Sequence, residues 1–321
     1  PKVDLLKVAK SVGKPTVENC GACHFNGGGG EAVKHGDLDP ALLKATKDVD
    51  VHIGGMGFQC TNCHKTDKHK ISGAGHGSIA ANANHISCED CHSTSKGNIH
   101  KNQVLNKHIN SLACETCHIP SIGRNMPTKT FWDWSTAGMK DDVKDENGRY
   151  TYSKMKGDFK WESKVVPEYL WYDGSGDYYL AGDKIDPNSP VYLNKMNGNI
   201  SDKNSKITPF KKMVGKQPFD KVNNYLIIPK LFGPDGYWKT YDWVKASTLG
   251  MKAVNLPFSG EVAFVETYMF WTQNHAVAPK NQAVKCNECH SKGTRLNWTA
   301  LGYPNGDPMK KGGREKIGLI K

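Results

Sequence analysis

The chain has 321 residues, of which only 37% are hydrophobic and 33 are glycine, with a mean hydropathy of −0.60; side chains alone make a lean core for a protein of this length. Lysine and arginine outnumber acidic residues 43 to 32, a formal charge of +11 that on its own points to an anionic partner. No run approaches the roughly 18 apolar residues of a membrane span, so no transmembrane helix is expected. The chain opens at Pro1 without a basic and then apolar leader, which is expected of a secreted protein whose signal peptide has been removed.

Regular elements are sparse. Asp39 and Pro40 form a helix start, predicting a helix over 40–48. A second helix is expected over 102–113. Residues 169–172 and 178–180, separated by a turn-forming stretch at 173–177, read as a β-hairpin. A short strand is expected at 225–228 before Pro229. Apolar spacing predicts a helix over 242–254, and the apolar run 261–274 reads as a buried helix ending near His275. Beyond the last cysteine, a Gly/Lys/Pro-rich tail is expected to be extended.

Five times a Cys-x-x-Cys pair is followed at once by histidine: Cys20, Cys23 and His24; Cys60, Cys63 and His64; Cys88, Cys91 and His92; Cys114, Cys117 and His118; Cys286, Cys289 and His290. This is the attachment pattern of c-type haem, in which two thiols bond the porphyrin edge and the imidazole becomes the proximal ligand. With 13 histidines in the chain, the chance that all five pairs precede one is on the order of one in ten million. Zinc knuckles would need cysteine pairs in even number, and local disulfides would not need the histidine. All ten cysteines are consumed, and five haem c groups are expected.

The first four motifs start 40, 28 and 26 residues apart, too close for ordinary cores between them. Haem must then supply the buried apolar surface. The expected fold is a multihaem cytochrome c of low regular secondary structure: short helices and loops around stacked haems, with a few β-hairpins in a haem-free middle. Its segments are a haem-dense part at 1–125, a haem-free insert at 126–258, and a fifth-haem segment with its tail at 259–321. The propionates of five haems carry roughly ten negative charges, which brings the positive chain near neutrality and removes the case for nucleic acid. Thioether attachment takes place outside the cytoplasm, so an extracellular or periplasmic location is expected.

Each iron takes a sixth ligand or keeps an open face, which separates a carrier from a catalyst. The non-motif histidines are His35, His52, His69, His76, His85, His100, His108 and His275. His275 is the foremost distal candidate, with His35, His52, His69, His100 and His108 beside it. His85 lies three residues from Cys88, a short tether, and His76 lies between two glycines. The first motif is followed by four glycines at 27–30, and then by Glu31, Lys34 and His35. Glycines let backbone approach a haem face closely.

The stretches at 27–39 (GGGGEAVKHGDLD), 113–120 (ACETCHIP), 128–138 (TKTFWDWSTAG), 156–162 (KGDFKWE), 215–220 (GKQPFD), 265–280 (VETYMFWTQNHAVAPK) and 295–303 (RLNWTALGY) resemble the octahaem tetrathionate reductase family. That family is related in haem packing to pentahaem nitrite reductase and hydroxylamine oxidoreductase. The resemblance covers nearly the whole chain and implies a catalytic haem with a lysine as its distal ligand. Lys34 would serve the haem of Cys20, Cys23 and His24, Glu31 would be the neighbouring acid, and His35 would ligate a different haem. Five motifs stand here against the family's eight, so haems preceding the lysine-ligated one are expected to be absent and some distal histidines to be surplus.

Two functions follow. One is electron transfer through five covalently bound haems to a redox partner or an external acceptor, including self-assembly into an extracellular filament with haem ligands donated by a neighbouring subunit. The other is reduction of small sulfur or nitrogen oxyanions, such as tetrathionate, nitrite or hydroxylamine, at the first haem with Lys34 and Glu31.

Overall fold

A computed structural model describes residues 3–67, 70–73, 86–92 and 99–320; His69, His76 and His85 lie outside them. The first part of the chain is loop with short helices: Leu5–Lys10, Val17–His24, Ile53–Met56, Cys60–Cys63, Glu89–His92, Gln103–His108 and Cys114–His118. The helix expected over 40–48 is only a 3-10 turn, Pro40–Lys44. Asp39 caps it through Ala41 N (2.8 Å), and a separate turn follows in which Val49 and Asp50 donate to the Thr46 carbonyl. The helix expected over 102–113 stops at His108, because Ser111 and Leu112 turn back onto the His108 carbonyl and Ala113 donates to Ile207.

The remainder is organised by one nine-stranded sheet: β1 Thr128–Asp133, β2 Val143–Lys144, β3 Tyr150–Ser153, β4 Gly157–Glu162, β5 Glu168–Tyr172, β6 Val191–Tyr192, β7 Lys206–Asp220, β8 Tyr225–Leu226 and β9 Val262–Thr272. The order β2-β3-β4-β1-β7-β9-β6 runs across it, with β5 and β8 also paired to β7. The longest ladder is antiparallel, from Phe210 opposite Thr272 to Asp220 opposite Val262. On its other side β7 meets β5 over Lys206–Pro209, β1 in parallel over Val214–Lys216, and β8 at Phe219 and Asp220. Pro209 and Pro218 therefore fall at the end of one ladder and between two others, where a missing N–H is tolerated.

The run at 261–274 is thus a strand and not a helix. Its Val, Thr, Tyr, Phe and Trp residues favour a pleated surface, and apolar residues on both faces, Phe264, Tyr268 and Phe270 on one and Val265, Met269 and Trp271 on the other, leave no polar–apolar alternation to mark a strand. The expected hairpin also differs. The first arm is a strand, but β5 pairs with β7; the second is displaced into the expected turn as Gly176–Tyr178, which pairs with Asn194–Met196. Asp173 redirects the chain between them, accepting from Ser175 N (2.8 Å) while its own N–H goes to Asn197. The helix Trp243–Ala253 forms with Asp242 as its cap, and the strand expected at 225–228 is β8.

The tail is pinned instead of extended. Pro308–Lys311 makes a helical turn, and the buried Arg314 guanidinium donates to the carbonyls of Asp202 (2.7 Å) and Asn110 (2.7 Å). Tyr169, Trp171 and Ile207 of the sheet pack with Cys289, Leu296, Trp298, Leu301 and Tyr303, so the last motif is seated on β5 and β7. Among the described residues no helix is long and apolar enough to cross a membrane.

Candidate functional site

Each Cys-x-x-Cys-His run opens on a short helix. Helical spacing puts residues three and four apart on one face, so two sulfurs and one imidazole are presented together. In three motifs the residue before the second cysteine caps its own turn. Asn62 Oδ1 accepts from Gln59 N (2.8 Å), Asp90 Oδ2 from Ser87 N (2.9 Å), and Glu288 Oε2 from Lys285 N (2.8 Å). The sequence signal was there, an Asn, Asp or Glu three residues after the turn begins, but the cysteines drew attention away from it.

Four motif imidazoles stand opposite four of the non-motif ones. His92 and His52 have ring centroids 6.0 Å apart, His64 and His275 6.2 Å, His118 and His100 6.3 Å, and His290 and His108 6.2 Å. A metal–nitrogen bond of about 2 Å on each side, and roughly 1 Å more from nitrogen to ring centre, puts two imidazoles sharing one metal about 6 Å apart. The ring planes fall in two classes, near-parallel for His64/His275 (17°) and His118/His100 (5°), and strongly rotated for His92/His52 (59°) and His290/His108 (58°).

Ring nitrogens facing away from these gaps find acceptors, as is usual for metal-bound histidine. His64 Nδ1 donates to the Ser72 carbonyl (2.8 Å), His108 Nδ1 to the Val104 carbonyl (2.8 Å), His290 Nδ1 to the Asp307 carboxylate (2.7 Å), and His275 Nδ1 to the Asp37 carboxylate (3.3 Å). Each bond leaves Nε2 as the ring nitrogen with a free lone pair, available to a metal. His100 Nδ1 is buried and unpartnered. Residue type, spacing and tautomer therefore fit axial haem ligation. No group of three or more Cys, His, Asp or Glu able to hold a bare metal ion occurs among the described residues.

The loops carrying His52 and His275 are fastened by buried carboxylates. Asp37 Oδ2 accepts from the backbone of Asn274 (2.6 Å) and His275 (2.8 Å). Burial would raise the Asp37 carboxyl, but the His275 hydrogen bond and charge outweigh it and hold it below the usual range. Asp50 Oδ1 takes the N–H groups of His52 (2.8 Å) and Ile53 (2.7 Å), and its Oδ2 takes Val277 N (3.0 Å). Arg124 bridges the same loops, donating to the carbonyls of Asp48 (2.7 Å), Val49 (2.7 Å) and Ala276 (2.8 Å). None of these three residues is singled out by the sequence.

His24 is different, since no imidazole among the described residues stands opposite it. Gly27 and Gly28 follow it, and the Lys34 side chain packs on that turn. A Cβ added at Gly28, whose φ is +79°, would come within 3.2 Å of Lys34 Cβ. Glu31 is exposed, while Lys34 and His35 are half-buried. His35 Nδ1 lies 3.9 Å from Asp37 and opposite none of the motif imidazoles; burial pushes its pKa down to about 4.

Successive motifs also lie near one another. The Cys60 thiol is within hydrogen-bond reach of Cys20, and Cys63 is close enough to Cys91 for their charges to interact. Cys88 contacts Cys114, and Cys117 lies near Cys286 and Cys289. Each motif thus has an attachment sulfur near one of the next motif.

Short helices presenting Cys-x-x-Cys-His, paired imidazoles with a metal-sized gap, and a β-rich segment behind them define a multihaem c-type cytochrome, a protein of electron transfer. The description of the bacterial cytochrome c family matches residues 129–293, and the chain belongs to that family. It is similar to the octahaem cytochrome c of Shewanella oneidensis, whose crystal structure superposes with a TM-score of 0.87 at 48% identity, covering 96% of this chain and 71% of that one. It is also similar, at 37% identity over 68 residues, to an uncharacterised protein of Archaeoglobus fulgidus; the match spans 20% of this chain and 23% of that protein. The chain is an octahaem-type bacterial cytochrome with several covalently bound haems.

Proposed function

We propose that the protein carries five haem c groups and conducts electrons along them outside the cytoplasm, between a redox partner and an external acceptor. The observation that carries this reading is the row of neighbouring motifs, with Cys60 in hydrogen-bond reach of Cys20, Cys88 of Cys114, and the Cys63/Cys91 and Cys117/Cys286 pairs close enough for their charges to interact. Haem, when bound, supplies a one-electron carrier whose potential is set by its axial ligands and their surroundings. The chain's own part is to hold four irons between imidazoles, orient those imidazoles through Ser72, Val104, Asp37 and Asp307, and keep the sites side by side. Segments 1–125, 126–258 and 259–321 are proposed as haem array, insert and closing segment.

The test is removal of the middle site. Cys88→Ala with Cys91→Ala should give four haems by pyridine haemochrome and iron content, and film conductance should drop by more than about tenfold, as expected when one carrier leaves a series. Unchanged conductance would end the row as the conducting element.

A second reading rests on His24 and Lys34. With no imidazole among the described residues opposite His24 and Lys34 packed on the adjoining glycine turn, the first haem is proposed to take Lys34 as its distal ligand and to be the place where a small sulfur or nitrogen oxyanion is reduced, with Glu31 at its entrance. Turnover with tetrathionate, nitrite and hydroxylamine under a viologen donor tests it, and absence of turnover with all three would leave conduction alone. His35, which has no motif imidazole opposite it, is proposed as a spare ligand for a neighbouring subunit's haem in a filament. Electron microscopy of the native protein showing only monomers would remove that proposal.

A further inference from the structure

Lys211 is fully buried in the middle of β7, at 1% exposure. A lysine in such a place is unusual unless its ammonium is used. Its Nζ donates to the Val33 carbonyl (2.7 Å) and to Thr128 Oγ (2.5 Å). Thr128 Oγ in turn lies on the carbonyls of Ala32 (2.7 Å) and His35 (3.3 Å), and Lys129 N donates to Ala32 as well (3.2 Å). Three carbonyls of the loop 32–35 are thereby gripped from the sheet, on both sides of Lys34.

That loop does not rest in a relaxed conformation. Ala32 has φ +53°, the left-handed region that a residue with a Cβ rarely adopts, and its side chain is buried. Gly36 closes the loop against Ile122, where a Cβ would collide with the Ile122 side chain at 1.8 Å. Strained backbone persists only where its surroundings over-determine it. Donors placed by two different strands, β7 and β1, meet that condition.

We infer that Lys211, working through Thr128, is a positioning residue that fixes the 32–35 backbone so that Lys34 is held on the His24 side of its loop. This rests on the reading of Lys34 as the distal ligand of the first haem. Lys211 does not itself touch the reacting centre; it acts through the Val33 carbonyl. A methionine at the same place would fill the space but leave Val33 O without a donor, and the loop would be free to relax Ala32 toward ordinary φ.

The experiment is low-temperature electron paramagnetic resonance of the oxidised holoprotein, comparing Lys34→Ala, Lys211→Met and Lys211→Arg. Lys34→Ala should remove the one low-spin signal not of bis-histidine type. Lys211→Met should convert part or all of that same signal to high-spin, with the bis-histidine signals and far-ultraviolet circular dichroism unchanged, and Lys211→Arg should restore it. If Lys34→Ala alters the signal and Lys211→Met does not, the positioning role is overturned while the Lys34 reading stands. If Lys34→Ala alters nothing, the Lys34 reading itself fails and takes the positioning role with it. Should Lys211→Met not mature with its haems, Thr128→Val reads the same grip: loss of the first-haem signal supports the inference, and an unchanged spectrum overturns it.

Discussion

Between Cys20 and His118 the helices bury very little: Cys60–Cys63, Glu89–His92 and Gln103–His108 bury no side chain, whereas β7 buries most of its length and β9 packs against it residue for residue. Apart from one small cluster of Val17, Phe25 and Leu42, the first region is a set of caps and turns arranged around gaps between imidazoles. The second has side-chain cores of its own, such as Met196, Phe210 and Phe270, or Tyr225, Ile227 and Met251. The difference explains how a chain of mean hydropathy −0.60 can fold. One part borrows its apolar interior from covalent cofactors, and the other builds a sheet that carries the last motif and the Lys211 grip.

The strongest way to break this comparison is to withhold haem. Replacing all ten cysteines by alanine should abolish hydrogen-exchange protection at 17–24 and 103–108, by more than about a hundredfold, while β7 and β9 keep theirs. Equal loss in both regions would contradict a self-sufficient sheet.

The converse change attacks the sheet alone. Phe210→Ala, at a position with no exposure, should cost about 3–5 kcal/mol in denaturant unfolding, with the haem spectrum unchanged in the folded protein.

A third test uses pH at the seam of the two regions. Burial pushes the Asp39 carboxyl up to about 6 from its ordinary 3.8. The native state then binds more protons than the unfolded state between those values, so this group's contribution is present below about pH 4 and is lost as pH rises through 6. Asp39→Asn should match the wild type near pH 4 and exceed it by about 2–3 kcal/mol at pH 7, the cap to Ala41 N being retained by the amide oxygen. Urea titrations across this range decide it.

The smallest effect is electronic. Asp307 accepts from His290 Nδ1 and makes that imidazole a stronger donor to its metal. Asp307→Asn should raise the potential of one haem by the equivalent of about 1–2 kcal/mol and leave the others in place, which spectroelectrochemical titration resolves.

Much of the chemistry was legible and much of the geometry was not. The motif residues announce themselves, and Asp242 marks the start of its helix. The strand β9 reads as helical because apolar residues on both of its faces leave no alternation, and Pro209 and Pro218 with the lysines at 211, 212 and 216 disguise β7 as something other than a central strand. Partners such as His64 with His275, or Asp37 with His275, are brought together only by the tertiary fold. No local pattern encodes that pairing.

The central proposal is that four haems lie between paired imidazoles and that the first takes Lys34 in place of one. Electron paramagnetic resonance of the fully oxidised protein tests it directly. The account predicts two rhombic bis-histidine signals from the near-parallel pairs His64/His275 and His118/His100, two strongly anisotropic ones from the rotated pairs His92/His52 and His290/His108, and a fifth signal that Lys34→Ala removes. Five bis-histidine signals, all insensitive to Lys34→Ala, would contradict it.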